Sequence, residues 1–320
     1  MKLFSSVNDV ADLKSFVEQA LIQKADPYAF QSLGKNKTLG LVFLNPSLRT
    51  RLSSQKAAMN LGMNVMVMNL DKEGWALETE DGVVMNGTTV EHIREAAAVM
   101  GQYCDILGFR SFPKLKDREE DYSESLFNKF VKFSGVPVVS LESATLHPLQ
   151  SFADLITIEE NKKISKPKVV LSWAPHVKPL PQAVPNSFSE WMCRAQAEGM
   201  IDFVITHPEG LELAGKFTPG ARIEYDQNKA LQAADFVYVK NWSSYHDYGN
   251  AFSGGESWMM THKKLEYTNE AKVMHCLPVR RDFELSAEVL DGPHSLVIKE
   301  AGNRVWSAQT VLKNMLEGLK

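Results

Sequence analysis

The amino-acid sequence predicts an α/β protein with two doubly wound parallel sheets. Three observations carry this. Short β-branched apolar runs alternate with longer stretches of helical spacing along the whole chain. Most of the runs lack the polar/apolar alternation of a sheet with one wet face, as buried parallel strands do. The 320 residues, 44 % of them hydrophobic, are enough for two cores rather than one.

Strands are expected at 39–44, 64–68, 105–108, 137–141, 169–173, 203–206, 236–239, 273–275 and 296–298. Helices are expected at 51–61, 90–103, 123–133, 149–160, 184–198 and 228–233. Right-handed crossovers then place helices on both faces of each sheet. A boundary is expected near 141–165, where a helix after His147 bridges two halves and Lys162-Lys163-Ile164-Ser165-Lys166-Pro167-Lys168 reads as an exposed connector. The expected division is 1–145, 146–300 and a C-terminal helix, 301–320, packing back on the first domain. Val305, Ala308, Val311, Leu312, Met315 and Leu319 form its apolar stripe.

A net charge of −4 gives no global basic field for nucleic acid or anionic lipid. Cys104, Cys193 and Cys276 have no pair spacing, which reads as a reducing compartment, and no metal-ligand spacing occurs. No run approaches ~18 apolar residues and no signal-like segment opens the chain, so a cytoplasmic protein is expected.

Ligands of open α/β sheets sit beyond the carboxyl ends of the strands. After the first long run comes Asn45-Pro46-Ser47-Leu48-Arg49-Thr50-Arg51 and then a helix. Ser47, Leu48, Arg49 and Thr50 thus meet a helix N-terminus, where free N–H groups and the dipole favour an anion. A serine there is equally a plain N-cap, and the arginines equally surface charges. Arg110 follows another strand. His147-Pro148-Leu149-Gln150 starts the bridging helix, so His147 and Gln150 can face one crevice, or His147 can merely cap. Cys276-Leu277-Pro278-Val279-Arg280-Arg281 follows a late strand: a small hydrophobe and surface charges, or ligands for an amine and a carboxylate.

In order along the chain, Ser-Leu-Arg-Thr-Arg, Arg110, His-Pro-Leu-Gln with Asp154, His-Cys-Leu-Pro and Glu300-Ala301-Gly302-Asn303-Arg304 resemble the aspartate/ornithine carbamoyltransferase family. The resemblance implies that family's fold, with linking helices between a carbamoyl-phosphate-binding domain and an amino-acid-binding domain. It implies phosphate binding by Ser47, Leu48, Arg49 and Thr50, and carbamoyl binding by Arg110, His147 and Gln150, with Arg110, His147 and Thr50 as catalytic donors. It also implies a reaction that needs neither metal nor organic cofactor, and a homotrimer in which a loop residue, here Trp75, reaches a neighbouring active site. Taken alone, Trp75 reads as loop packing.

Ornithine carbamoyltransferases carry a Ser-Met-Gly signature that this chain lacks; Lys240-Asn241-Trp242-Ser243-Ser244-Tyr245 stands in the corresponding region. Trp173, His176, Lys178-Pro179-Leu180, Asn186-Ser187 and the 275–281 motif resemble the members acting on N-acetyl- or N-succinylornithine. Glu142, His176, Lys240, Cys276, Leu277, Arg280 and Arg304 are the implied acceptor-site residues. Thr88-Thr89-Val90-Glu91 reads as a capping box with Val90 in the first helical turn. The acetyl-specific members align a glutamate at Val90, so an uncharged residue there points to N-succinylornithine in arginine biosynthesis. N-acetylornithine, free ornithine and a non-catalytic regulatory paralogue are the alternatives.

Overall fold

Val42, Ile106, Leu107, Phe109, Val138 and Val139 are buried because their strands lie in the middle of a sheet covered on both faces. The computed structural model of the chain describes residues 1–319; residue 320 of the expected C-terminal helix lies outside them. It divides into two units, one of 1–114, 119–149 and 304–320, the other of 115–118 and 150–303.

The first unit holds a five-stranded parallel sheet. Its spatial order is Leu3–Phe4, Val138–Glu142, Ile106–Arg110, Thr38–Phe43, Asn64–Asn69. From Thr38–Phe43 the chain adds Asn64–Asn69 on one side, then crosses to Ile106–Arg110 on the other. The order therefore reverses at the Thr38–Phe43/Ile106–Arg110 pair, the place where such sheets open a ligand crevice. The two-residue strand Leu3–Phe4 pairs with Val138–Glu142, a pairing too short to show in a hydropathy pattern.

The second unit repeats the plan with the order Arg222–Glu224, Asp202–Thr206, Lys168–Trp173, Phe236–Lys240, Lys272–Met274, again all parallel. Its order reverses between Lys168–Trp173 and Phe236–Lys240. Helices Pro148–Asn161 and Ala183–Ala197 bury long apolar faces, with Phe152 stacked on Trp191 at 5.3 Å.

Two expectations are corrected. Residues 296–298 form no strand. Ser295 makes an isolated bridge to Val273, and the 21-residue helix Val297–Glu317 begins at once. Val297 and Ile298 are β-branched, but burial of Ala308, Val311, Leu312 and Met315 further along outweighs that local preference. The second correction concerns the helix expected from Val90, which spans Ile93–Tyr103 with His92 as its N-cap. Residues 88–91 are held elsewhere. Val90 N–H donates to Ala76 O at 3.0 Å, and Glu91–His92 pairs in parallel with Leu77–Glu78. The Thr88/Glu91 capping box therefore does not form, and Val90 stands three residues ahead of the helix.

Candidate active site

In the first unit three strands end side by side. Leu44 N–H donates to Arg110 O at 3.0 Å and Ser111 N–H to Glu142 O at 2.9 Å, so the chain turns at one level. A register shift between Phe109 and Arg110 sets Arg110 opposite Glu142. Arg110 Nη1 forms a buried ion pair with Glu142 Oε2, and its guanidinium lies 4.5 Å from the Phe112 ring centroid. Both residues close their strands rather than following them.

Ser47 caps the helix Leu48–Asn60, its Oγ accepting from Thr50 N–H at 3.3 Å. The remaining first-turn amides have no partner within the helix, which makes this end a donor-rich cradle. Leu48 is exposed there, Arg49 half-buried and Thr50 fully buried.

His147 and Arg304 complete the cluster. Arg304 Nη2 donates to Thr50 Oγ1 at 2.6 Å and faces His147 Nε2 at 3.3 Å. His147 Nε2 also lies 3.5 Å from Glu142 Oε2. Burial, and then the guanidinium groups of Arg304, Arg110 and Arg49, push the His147 imidazole well below its ordinary range, so the ring is neutral. The Glu142 contact is therefore not an ion pair. A guanidinium can only donate, which assigns the Nε2 lone pair to Arg304 and the proton to Nδ1. That Nδ1–H is a buried donor with no acceptor among the described residues.

Trp75 and Val90 belong to an exposed segment of the same unit, 57 % and 65 % exposed. Trp75 Nε1 donates to Glu91 Oε2 at 2.8 Å. The Leu77–Glu78/Glu91–His92 pairing ties their two stretches together.

In the second unit, Lys240 ends the Phe236–Lys240 strand and is only 7 % exposed. Arg280 Nε donates to His176 Nε2 at 3.1 Å. That places the His176 proton on Nδ1, which donates to Lys178 O at 2.9 Å. Burial lowers the His176 pKa, as do Lys240 and Arg280, so this ring is neutral too. Arg281 instead forms a two-pronged pair with Asp291 at 2.7 and 2.8 Å. Cys276 is buried, with its thiol pushed up to about 11 chiefly by burial, so it is no thiolate nucleophile. Leu277 follows in a left-handed conformation, φ 54°, with its N–H on His275 Nδ1 at 2.9 Å. Gln150 donates to Asp154 Oδ1 at 2.7 Å and Glu300 Oε1 at 3.1 Å, and Glu300 Oε2 accepts His275 N–H at 2.8 Å.

The sequence model of the aspartate/ornithine carbamoyltransferase carbamoyl-P binding domain matches residues 2–160, and that of the Asp/Orn binding domain matches 188–315. The chain belongs to the aspartate/ornithine carbamoyltransferase family. This carbamoyltransferase is 54 % identical to the N-succinylornithine carbamoyltransferase of Bacteroides thetaiotaomicron, with all of both chains covered. It is 33 % identical to the N-acetylornithine carbamoyltransferase of Xylella fastidiosa, over 92 % of this chain and 93 % of the relative. Among solved structures it resembles an N-acetyl-L-ornithine transcarbamylase in which a glutamate is replaced by valine, complexed with carbamyl phosphate and N-succinyl-L-norvaline. That match has a TM-score of 0.90 and 31 % identity, covering 98 % of this chain and 100 % of the other.

Of the residues singled out in this carbamoyltransferase, Thr50, Arg110, Glu142, His147 and Arg304 form one connected cluster. Arg304, expected among acceptor-site groups, contacts Thr50 and His147. Gln150 is engaged with Asp154 and Glu300. Glu284 was not legible. It accepts Arg280 N–H at 2.7 Å and lies 3.7 Å from His275 Nε2. Burial raises its carboxyl pKa, but His275 and Lys240 outweigh this and leave it lowered. Its neighbours His275 and Lys240 come from other stretches, which no spacing signals. Among the described residues no three His, Cys, Asp or Glu side chains are grouped to hold a metal, and no helix is long and apolar enough to cross a membrane.

Proposed function

We propose that this carbamoyltransferase transfers the carbamoyl group of carbamoyl phosphate to the δ-amine of N-succinyl-L-ornithine, giving N-succinyl-L-citrulline and phosphate, as a step of arginine biosynthesis. The observation that carries the acceptor is the 54 % identity, end to end, to proteins named N-succinylornithine carbamoyltransferase, against 33 % to those named for N-acetylornithine.

Residues 1–145 serve the donor in this reading, 146–300 the acceptor, and the helix of 301–320 returns to the first domain. Ser47, Leu48, Arg49 and Thr50 hold the phosphate at the helix N-terminus. Arg110, His147 and Gln150 hold the carbamoyl group, and Arg304 adds a further cation beside them. The neutral amine adds to the carbamoyl carbon and the carbon–oxygen bond to phosphate breaks. The departing phosphate takes the amine proton. Charge building on the carbonyl oxygen is met by Arg110, by the His147 Nδ1–H and by Thr50, preorganised donors of the kind that lower such barriers most. Glu142 receives the acyl-amide N–H, and Cys276 and Leu277 meet the amine. His176, Lys240 and Arg280 serve carboxylates. Lys240 suits that role because it is buried and no carboxylate among the described residues lies within ion-pair distance of it.

N-succinylornithine carries one more carboxylate than N-acetylornithine. Val90 offers neither charge nor bulk against it, and the solved relative with valine for a glutamate holds a succinyl ligand. Val90 stands outside the helix Ile93–Tyr103, so the helix dipole adds nothing to this reading.

A homotrimer is part of this proposal. Leu48, Leu52 and Met59 are exposed on one helix, and Met66 and Met68 on the edge strand Asn64–Asn69, an apolar set that a subunit contact covers. Trp75 then reaches a neighbouring active site. The three free, buried cysteines suit a reducing, cytoplasmic setting.

The test supplies purified protein with carbamoyl phosphate and, separately, N-succinylornithine, N-acetylornithine, ornithine and putrescine, and measures phosphate release and ureido product. Turnover is expected with N-succinylornithine foremost. A preference for N-acetylornithine rejects the acceptor assignment, and no turnover with any amine rejects the enzyme.

A further inference from the structure

Glu124 stands at the N-cap of the helix Ser125–Ser134, yet its side chain caps nothing there. Its backbone is left-handed, φ 52°, a conformation that a residue with a Cβ adopts only when its surroundings demand it. The carboxylate turns instead to the loop after the Val138–Glu142 strand. Oε1 accepts from Ser143 Oγ at 2.6 Å, Thr145 N–H at 2.7 Å and Thr145 Oγ1 at 2.6 Å, and Oε2 accepts from Ala144 N–H at 3.2 Å. The loop itself is closed by Ser143 N–H on Leu146 O at 2.8 Å and Leu146 N–H on Ser143 Oγ at 3.2 Å. The Glu124 carboxylate is thus an acceptor shared by the Ala144 and Thr145 amide groups.

This loop has Glu142 before it and His147 after it. We propose that Glu124 is a positioning residue for the carbamoyl transfer: its carboxylate fixes the Ser143–Leu146 turn and thereby aims His147 and Glu142. The proposal rests on the functional reading above. Four donors converging on one carboxylate make charge-assisted bonds that a neutral side chain does not reproduce. A misplacement of about 1 Å in a catalytic group costs on the order of a hundredfold in rate.

The test compares Glu124→Gln, Glu124→Ala and Glu124→Gly with the wild type, reading kcat and KM for carbamoyl phosphate and N-succinylornithine, thermal unfolding, and the imidazole NMR resonances of His147. Gln keeps one acceptor oxygen, so kcat is expected to fall in the order wild type, Gln, Ala, by about a hundredfold at the end of the series, with KM for carbamoyl phosphate little changed. Gly relieves the left-handed backbone, so it is expected to unfold no lower than Ala while its kcat stays as low. Should Ala not fold, Gln and Thr145→Val carry the comparison, and their double variant is expected to lose no more than the worse single one. The His147 resonances are expected to move in Glu124→Gln. Kinetics equal to wild type in the folded variants overturn the proposal, as do unmoved His147 resonances, which need no turnover to be read. A wild type inactive with every acceptor rejects the functional reading instead.

Discussion

Arg304 Nη2 lies 2.6 Å from Thr50 Oγ1, joining residues 254 positions apart in the chain. The guanidinium is thereby held against the end of the helix Leu48–Asn60 and, at 3.3 Å, against His147. This contact ties residue 304 to Thr50 and His147, the residues proposed above to meet the carbamoyl group.

Arg304→Lys replaces a planar fork by a point charge. A loss on the order of 10²–10³ in kcat/KM is expected, as for other preorganised donors. Because Arg304 is assigned to the donor, the ratio of succinyl to acetyl turnover is expected to stay constant. A ratio that moves with the substitution would return Arg304 to the acceptor set.

The Arg110–Glu142 pair is buried on both sides. Arg110→Met leaves a buried carboxylate without its cation, and a loss of about 3–5 kcal/mol in stability is expected from denaturant unfolding. Arg110→Met with Glu142→Leu removes both charges and is expected to recover most of that loss while remaining inactive. Turnover in the double variant would show that neither residue touches the reaction.

The pH dependence of stability follows from His147. Its folded pKa lies well below the ordinary value of 6.5, so in acid the unfolded chain binds a proton that the native protein refuses. Stability is therefore expected to fall as pH drops below 6.5 and to continue falling until the folded pKa is reached. His176 and His207, both also lowered chiefly by burial, act in the same direction. Denaturant unfolding from pH 7 downward is expected to show a shallower acid-side slope in His147→Gln, by about 1.4 kcal/mol per pH unit. An unchanged slope would mean that the imidazole charges in the native state.

Val90→Glu adds a carboxylate to an exposed position and is expected to shift preference from N-succinylornithine toward N-acetylornithine without altering stability beyond about 0.5 kcal/mol. The readout is the ratio of kcat/KM for the two acceptors. A constant ratio removes Val90 from substrate choice.

Much of this protein was legible from local pattern. Buried strands such as Phe236–Lys240 declare themselves by continuous β-branched and aromatic residues, and Ser47 announces its helix by cap chemistry. Where local signals competed with pairing to distant chain, pattern failed. Val297 and Ile298 look like strand but open a helix whose far end is buried, and the Thr88-to-Glu91 stretch looks like a cap but pairs with Leu77–Glu78.

The one-dimensional order of motifs determined the family, the two-sheet plan and the residue types available for an anion and a carbonyl oxygen. Only the tertiary structure decided who meets whom. The register shift sets Arg110 on Glu142, the returning C-terminal helix brings Arg304 to Thr50 and His147, and Glu124 reaches the turn that carries His147. The reason is physical: charge neutralisation, proton position and hydrogen-bond satisfaction depend on distances of a few ångströms between groups that the chain separates by up to hundreds of residues.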